Sequence, residues 1–359
     1  MSAEGPRIPH SRPTVFPGLA DAVARVVDSG QHAGGSVRRA FEEELARRIG
    51  VRHAVAVQSG SAALHLALLT LDVRPGRAVL LPSYACMAVL NAVTSCDARP
   101  VLVDVHPTRL NIDAERCRAA LRRESLSVAD VSAIIAPHMI GLPAPMPELR
   151  DLGPPVIEDC AMGLGAEIDG EEVGAWGTVS IFSFYATKMI STGQGGMLLT
   201  ANDRLAARAR DLIQYDNRET RRETTWNYPL PDLAAALGRP QLEHLDQFLE
   251  RRARIATRYL DFAQRRSIRT PECVPESRPN HFRFVFLLED RDLVRAALER
   301  DGIESKPPVF RPLHRYLDLR IEDFEGAEAA YDAALSVPIY PSLTDLECDR
   351  VLDALDRAL

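Results

Sequence analysis

The chain has 359 residues, of which 46% are hydrophobic and 26% charged, a composition typical of folded globular proteins that argues against disorder. The formal net charge of −7 gives no sign of the basic surface that nucleic-acid binding requires, so we expect no nucleic-acid partner. The six cysteines show neither a CxxC pair nor another metal-ligand spacing, which predicts reduced thiols and no bound metal.

Two amphipathic helices are predicted before the main part of the chain. Residues 1–17 carry proline, serine and charge instead of a continuous apolar signal region, and no later run is long enough to span a membrane. We therefore expect a cytoplasmic protein without membrane contact. Apolar residues recur at helical spacing over residues 19–27 and 37–49, with glycines between the two stretches.

Short apolar runs then alternate with stretches of helical spacing. The runs predict seven strands, at residues 54–57, 78–81, 101–103, 132–136, 156–157, 178–182 and 197–200. Helices are predicted at residues 61–71, 85–93 and 113–121. Continuous apolar strands are typical of sheets buried on both faces, and helical crossovers connect parallel neighbours. The pattern predicts a three-layer α/β/α domain.

The last third of the chain has a different pattern. A long helical stretch is predicted at residues 232–263, followed by a strand at 281–288 and helices at 291–300, 327–335 and 345–359. We interpret this part as a smaller α+β domain. The predicted division is a large domain at residues 1–244, which includes the N-terminal helices, and a small C-terminal domain at residues 245–359.

Polar residues follow several of the predicted strands. Ser59, Gly60 and Ser61 come after the first strand and open a helix, whose unpaired N–H groups could bind an anion. Ser59 could equally be an ordinary helix N-cap. Asp159 directly follows an apolar strand, where an aspartate is often only a turn residue. Ligands of open α/β sheets bind at these strand ends, so the positions are candidate site residues.

Lys188 is the most informative of these positions. It lies in the segment Ser183-Phe184-Tyr185-Ala186-Thr187-Lys188, after a predicted strand and before the glycine-rich residues 193–196. A single lysine near a loop is usually a solvated charge. Schiff-base chemistry requires an amine that is partly neutral, which burial and neighbouring cations can supply. The glycines could let the backbone approach a ligand closely, or they could mark a plain hairpin.

Six segments carry a family resemblance that extends from about residue 14 to the C-terminus. They are SGSAAL at 59–64, PSYACMAVLNAV at 82–93, VIEDCAMGLGA at 156–166, SFYATKMISTGQGGM at 183–197, WNYPLPDLAAALG at 226–238 and VPIYPSLTD at 337–345. In this order they resemble the DegT/DnrJ/EryC1/StrS aminotransferases. The resemblance implies a fold-type-I enzyme that depends on pyridoxal 5'-phosphate (PLP).

The resemblance also implies roles for individual residues. Lys188 matches the lysine that binds PLP covalently, and Asp159 matches the carboxylate that keeps the pyridine nitrogen protonated. The positions that match PLP-contacting residues are Gly60, Ser61, Cys86, Asp159, Met162, Ser183, Lys188 and Asn227. Asn227 matches a residue that reaches the phosphate of the neighbouring subunit, which implies a homodimer with active sites at the interface. Tyr84 and His314 are candidate substrate contacts, although His314 could also be a structural or surface histidine.

The sequence departs from the family pattern at four positions. Cys86 aligns where many relatives have an aromatic ring that stacks on the pyridine, and Met162 aligns where a Gln or His is common. Pro229 replaces a common arginine, and Gln194 replaces a common glutamate. The residues matched to the covalent link, the pyridine nitrogen and the phosphate are retained.

The resemblance implies transfer of an amino group from glutamate or glutamine to the 3- or 4-keto group of a deoxysugar linked to a nucleotide. Such a reaction serves natural-product or polysaccharide biosynthesis. One alternative is a keto-cyclitol aminotransferase of the aminoglycoside type, and another is a non-catalytic PLP-binding protein, suggested by Cys86, Met162 and Pro229. Sugar 3-dehydration requires a histidine at position 188 and is disfavoured. An unrelated Rossmann domain is disfavoured because GxGxxG is missing after the first strand.

Overall fold

The computed structural model describes residues 6–216 and 223–359, so the beginning of the N-terminal lead-in lies outside the described residues. Twelve strands are found in these ranges: β1 (His53–Val57), β2 (Ala78–Pro82), β3 (Arg99–Val103), β4 (Val131–Pro137), β5 (Val156–Asp159), β6 (Glu167–Ile168), β7 (Glu171–Glu172), β8 (Val179–Ser183), β9 (Gly196–Thr200), β10 (Ser277–Arg278), β11 (Phe284–Leu287) and β12 (Ala334–Val337).

Seven of the strands form one sheet in the order β1-β9-β8-β5-β4-β2-β3. Strands β3, β2, β4, β5 and β8 are parallel to one another, whereas β9 is antiparallel to both β8 and β1. The loop from β8 to β9 contains no crossover helix, so β9 can only return beside β8 in the opposite direction. All seven predicted strands are confirmed, and the sheet is mixed because of β9.

Twelve α-helices are found in the described ranges: α1 (Leu19–Ser29), α2 (Ser36–Ile49), α3 (Gly60–Thr70), α4 (Met87–Thr94), α5 (Ala114–Arg123), α6 (Met146–Arg150), α7 (Asp203–Ile213), α8 (Asp232–Glu243), α9 (Leu245–Arg265), α10 (Arg291–Arg300), α11 (Glu325–Ala333) and α12 (Asp345–Ala358). The five predicted N-terminal helices are confirmed as α1 to α5.

Helices cover both faces of the large sheet. Every residue of β2 and β9 is buried, and successive side chains of a strand point to opposite faces, so both faces are shielded from solvent. Helix α3 packs on β8 and β9, α2 packs on β1, and α5 packs on β3. The main hydrophobic core fills the space between these helices and the sheet. The predicted three-layer arrangement is confirmed.

Two predictions about the C-terminal part are wrong. The predicted helix at residues 232–263 is two helices, α8 and α9, which meet at His244. The predicted helix at residues 327–335 ends at Ala333, because Ala334 to Val337 form β12. Strand β12 pairs antiparallel with β11, and this pairing was not foreseen. Helix α7 was also missed, although its apolar residues face the core.

A second hydrophobic cluster surrounds β11 and β12. It contains residues of α9, α10 and α12, including the buried rings of Tyr259, Phe284 and Phe286. Ile8, near the N-terminus, belongs to the same cluster and pairs with Ile303. The predicted division at residue 245 coincides with the first residue of α9 and stays a prediction. None of the helices among the described residues is both long and apolar enough to cross a bilayer.

Candidate active site

Lys188 lies in the loop that follows β8, beside the carboxyl end of the sheet. Its backbone N–H donates a 2.8 Å hydrogen bond to the carbonyl of Tyr185. The side-chain amine lies 5.3 Å from the centre of the Phe282 ring, which belongs to the segment before β11. The amine therefore meets an aromatic ring brought from the C-terminal part of the chain.

The pKa of Lys188 is lowered. The main cause is loss of solvent around the amine, and the positive charge of Arg283 acts in the same direction. The Cys86 thiol and the Asp159 carboxyl raise the pKa of Lys188, but they do not outweigh the desolvation. At a given pH the amine is therefore neutral in a larger fraction of molecules than an ordinary lysine, and the neutral amine is the nucleophilic form.

Asp159 ends β5 and is 7% exposed. Its Oδ1 accepts a 2.9 Å hydrogen bond from the backbone N–H of Ala161. Burial raises the pKa of Asp159, while that hydrogen bond and the charges of Lys188 and His138 oppose the increase. No other hydrogen bond to the Asp159 carboxyl is found among the described residues. A buried carboxyl of this kind is stabilised as a carboxylate by a cationic ligand group.

Glu158, the neighbouring carboxylate, has a different environment. It is fully buried and accepts hydrogen bonds from the backbone N–H groups of Gly174, Trp176 and Gly177. His138 is also 3.0 Å from Glu158, and its other ring nitrogen accepts from a backbone N–H, so the nitrogen facing Glu158 is the donor. Adjacent strand residues face opposite sides, so only Asp159 is directed to the Lys188 side of the sheet.

His138, Glu158 and Cys160 also form the one described group whose ligand atoms could hold a metal, all within 4.8 Å. These three residues do not show a metal-ligand spacing in the sequence. Because Glu158 already accepts four hydrogen bonds, we interpret the group as structural.

Gly60 and Ser183 are brought together although they are far apart in the sequence. A Cβ atom at Gly60 would lie 2.7 Å from the Ser183 Cβ and 2.9 Å from its Oγ. Gly60 is the first residue of α3, and Ser59 caps that helix by accepting a 3.0 Å hydrogen bond from the N–H of Ala62. The N–H groups at the start of α3 and the Ser183 hydroxyl therefore meet at one point, as an anion site requires.

Gly196 explains why the glycine-rich segment is needed. A Cβ at Gly196 would lie 2.3 Å from the carbonyl oxygen of Ser59, so only glycine lets β9 pass so close to the turn before α3. At Gly195 a Cβ would lie 2.3 Å from Thr192 Oγ1. Strands β8 and β9 form a hairpin, as one interpretation of the glycine-rich segment predicted. Its glycines also allow a close approach of the backbone, but to protein atoms and not to a ligand.

We call the anion site formed by the start of α3 and Ser183 the cradle. A cavity of about 420 Å³ opens beside it. Ser59 and Ser61 line it together with residues of α4 and the ring of Trp226. Ser61 is exposed, so its hydroxyl is free to meet a ligand or a second subunit.

We expect Gly60→Ala to weaken the cradle. The added methyl group would press on Ser183, and overpacking of this kind costs about 1–3 kcal/mol of folding free energy. The expected result is a lower melting temperature and weaker PLP binding, measured by thermal unfolding and by titration with PLP. In the double variant Gly60→Ala/Ser183→Gly, the melting temperature should recover because the opposing Cβ is gone. An unchanged melting temperature in the single variant would contradict the close contact.

Asn227 is exposed beside the same cradle. The segment that carries it is fixed to β1, because the N–H of Gln58 donates to the carbonyl of Tyr228 at 2.7 Å and Pro229 bridges to Val57. The tyrosine hydroxyl also meets His65 at 3.0 Å. Pro229, noted as a departure from the family pattern, is therefore compatible with the pairing to β1, and Asn227 is held at the surface.

Of the other three departures, Gln194 is exposed in the loop between β8 and β9, and Cys86 and Met162 lie on different sides of the site. Cys86 is exposed at the start of α4 and is close enough to Lys188 to affect its pKa. Met162 is half-buried in the turn after β5, and its carbonyl accepts a 2.8 Å hydrogen bond from Asn280. Asn280 thus ties this turn to the segment that carries Phe282.

The two candidate substrate residues are buried. Tyr84 is fully buried, and its hydroxyl lies 3.5 Å from the carbonyl of Ala330. His314 is also fully buried, with Nδ1 at 2.6 Å from Ser83 Oγ and Nε2 at 2.7 Å from Glu328. These contacts favour the structural alternative for His314, and contact of either residue with a substrate stays a prediction.

The described residues fit PLP. A partly neutral lysine can bind an aldehyde, a buried carboxyl can pair with a pyridinium nitrogen, and a helix start next to a serine can bind a phosphate. Lys188, Asp159, Gly60 and Ser183 provide these groups from three separate segments: the start of α3, the end of β5 and residues 183–188. Sequence reasoning missed Phe282 and Arg283, because neither lies near a motif and both reach the site only through folding.

Comparison with known proteins agrees with the family resemblance seen in the sequence. The DegT/DnrJ/EryC1/StrS aminotransferase family matches residues 18–356. The chain is 35% identical to GDP-perosamine synthase of Caulobacter vibrioides over 337 residues, 89% of each chain. It is 34% identical to dTDP-3-amino-3,4,6-trideoxy-alpha-D-glucose transaminase of Streptomyces venezuelae, covering 93% of this chain and 90% of the other.

Solved structures are similar over almost the whole chain. DesV of Streptomyces venezuelae, solved in complex with a ketimine intermediate, superposes with a TM-score of 0.91 at 31% identity and 99% coverage of both chains. A DegT DnrJ EryC1 StrS aminotransferase from Brucella abortus gives a TM-score of 0.87 at 29% identity and 94% coverage of both.

Proposed function

Because the chain belongs to the DegT/DnrJ/EryC1/StrS family of PLP-dependent aminotransferases, we propose that it transfers an amino group from glutamate or glutamine to a keto-sugar linked to a nucleotide. The observation that carries the proposal is that the desolvated Lys188 amine and the buried Asp159 carboxyl, at one edge of the sheet, lie close enough for each to shift the pKa of the other. The two relatives described above are both named for nucleotide-linked amino sugars, which supports the acceptor class.

PLP, when bound, supplies an aldehyde that condenses with amines and a ring that withdraws electrons from the carbon next to the amine. The role of Lys188 follows from its lowered pKa. Its neutral Nζ can bind the aldehyde and, once displaced by the donor, can accept a proton from the α-carbon of the donor. The Phe282 ring beside this amine excludes water from the place where the proton moves.

Asp159 acts by charge and position. Its carboxylate would hold a proton at the pyridine nitrogen, because an ion pair in a buried site is stronger than one in water. The bond from the Ala161 N–H fixes one carboxyl oxygen, so the group is already oriented before any ligand arrives. Gly60, Ser61 and Ser183 would hold the phosphate through N–H and hydroxyl groups.

The acceptor is tested directly with protein loaded with pyridoxamine phosphate. Keto-sugar nucleotides and keto-cyclitols are added separately, and formation of the aminated product is followed by mass spectrometry. We expect a nucleotide-linked 3- or 4-keto-deoxysugar to be aminated and keto-cyclitols to be inert. Amination of keto-cyclitols alone would replace the proposed acceptor class, and a PLP-loaded protein whose visible absorption ignores glutamate and glutamine would favour a binding protein without catalysis.

We also propose that the protein acts as a homodimer, in which Asn227 of one subunit contacts the phosphate of the cofactor bound to the other. The exposure of Asn227 at the edge of the cradle supports this arrangement. A cytoplasmic location is proposed as well, since all six cysteines are free, as in a reducing compartment.

A hybrid of two variants tests the shared site. We expect Asn227→Ala to weaken cofactor binding and Lys188→Ala to be inactive. If Asn227 serves the other subunit, a dimer with one copy of each variant contains one site that combines Lys188 with Asn227. Hybrids purified through two different affinity tags should then be active at PLP concentrations that leave the Asn227→Ala parent empty. Hybrids that need as much PLP as that parent would show that Asn227 serves its own subunit or none.

A further inference from the structure

Arg283 is a cationic residue near Lys188 that lies outside the motifs recognised in the sequence. It precedes β11, and its guanidinium lies 5.3 Å from the centre of the Phe282 ring. The amine of Lys188 lies at the same distance from the centre of that ring. The Arg283 guanidinium and the Lys188 amine are therefore no farther apart than twice this distance. Arg283 is close enough to Lys188 to lower its pKa.

Among the described residues, no carboxylate neutralises the charge of Arg283. No aspartate or glutamate forms an ion pair with it within residues 6–216 and 223–359. Its Nη1 instead meets the two ring nitrogens of His10 at 2.9 and 3.0 Å. Burial first, and Arg283 second, lower the pKa of His10 to about 3, so this histidine is neutral at physiological pH. Desolvation also lowers the pKa of Arg283 to about 10, which leaves it charged at pH 7.

The backbone around Arg283 is held rigidly. Its N–H donates to the carbonyl of Ile140 at 3.2 Å. Arg252, itself buried, directs Nη1 to the carbonyls of His281 and Phe282, each at 3.1 Å. Burying the charge of Arg252 costs free energy, and its hydrogen bonds to these carbonyl groups fix the segment that contains Arg283. The guanidinium is thus positioned in advance of any ligand.

We propose that Arg283 binds the α-carboxylate of the amino donor, an inference that rests on the proposed function. The donor amine must reach the place where Lys188 acts, and its carboxylate is attached to the same carbon. The carboxylate therefore arrives within reach of a cation close to Lys188. A guanidinium matches a carboxylate with two parallel hydrogen bonds. The diphosphate of a sugar nucleotide is separated from the reacting carbonyl by the sugar ring, which places it farther from Lys188.

The test compares Arg283→Gln with wild-type protein loaded with PLP. Arg278→Gln is the matched control, because it removes the same charge from an exposed arginine that pairs with Glu167. The change in visible absorption is followed while L-glutamate is added. We expect the half-saturating glutamate concentration to rise about 30-fold in Arg283→Gln, as the loss of a charge-assisted hydrogen-bonded pair predicts. Arg278→Gln should behave as wild type, and Arg283→Lys should recover part of the affinity.

Two further measurements separate the possible outcomes. Calorimetric binding of glutarate, a dicarboxylate that cannot react, should weaken in Arg283→Gln as glutamate binding does. The acceptor concentration dependence of the pyridoxamine-loaded variant should be unchanged. If Arg283→Gln binds glutamate and glutarate as wild type does, the inference is overturned and the proposed function is not. If glutamate binding is normal and the acceptor response is weakened, Arg283 binds the diphosphate instead. If wild-type protein shows no response to any amino acid, the proposed function falls together with the inference.

Discussion

Lys188→Ala loses the covalent link to PLP and lowers turnover by at least about 10³-fold, the upper part of the range for loss of a general base. No other lysine can substitute, because the chain has only two lysines, and the second, Lys306, is ion-paired with Glu304. The fold is expected to persist, because the Lys188 side chain forms neither an ion pair nor a hydrogen bond that the described residues show, and its removal breaks no such contact.

The covalent link is measured by reducing the PLP-loaded protein with borohydride and locating the added mass by peptide mass spectrometry. The mass should appear on the peptide that contains Lys188. Lys306→Ala is the matched control and should keep both the label and wild-type turnover. Labelling of Lys306, or turnover of Lys188→Ala at the wild-type rate, would contradict the proposed role.

Asp159→Asn is expected to lower turnover by about 10²–10³-fold while the protein still binds PLP. The amide has nearly the same shape as the carboxyl and can keep the hydrogen bond from Ala161. It carries no charge, however, so it cannot hold a proton at the pyridine nitrogen. Turnover is measured together with the visible spectrum of the bound cofactor, and unchanged kinetics would remove Asp159 from the mechanism.

Glu158→Gln provides the contrasting control. Its side chain accepts from three backbone N–H groups, and an amide nitrogen facing those donors leaves buried groups unpaired, at about 1–3 kcal/mol each. We therefore expect Glu158→Gln to lower the melting temperature clearly, whereas Asp159→Asn should change it little. Equal melting temperatures for the two variants would contradict the different environments described for these neighbouring carboxyl groups.

Much of the fold could be predicted because its signals are local. The strands of the large sheet are continuous apolar runs, and the helices between them repeat with a helical period. The predictions failed where a local pattern has two solutions. The residues of β12 continue the apolar pattern of α11, and only pairing with β11 makes them a strand. The end of α8 and the start of α9 both have helical periodicity, so the sequence pattern does not indicate the break at His244.

The sequence alone determined the family, the three-layer α/β/α architecture and the candidate pair Lys188 and Asp159, because motifs and strand ends are properties of neighbouring residues. Tertiary structure decided the different environments of Glu158 and Asp159, the need for glycine at Gly196, and the approach of Phe282 and Arg283 to Lys188. Desolvation and contacts between distant segments depend on how the chain packs, and no local pattern records them.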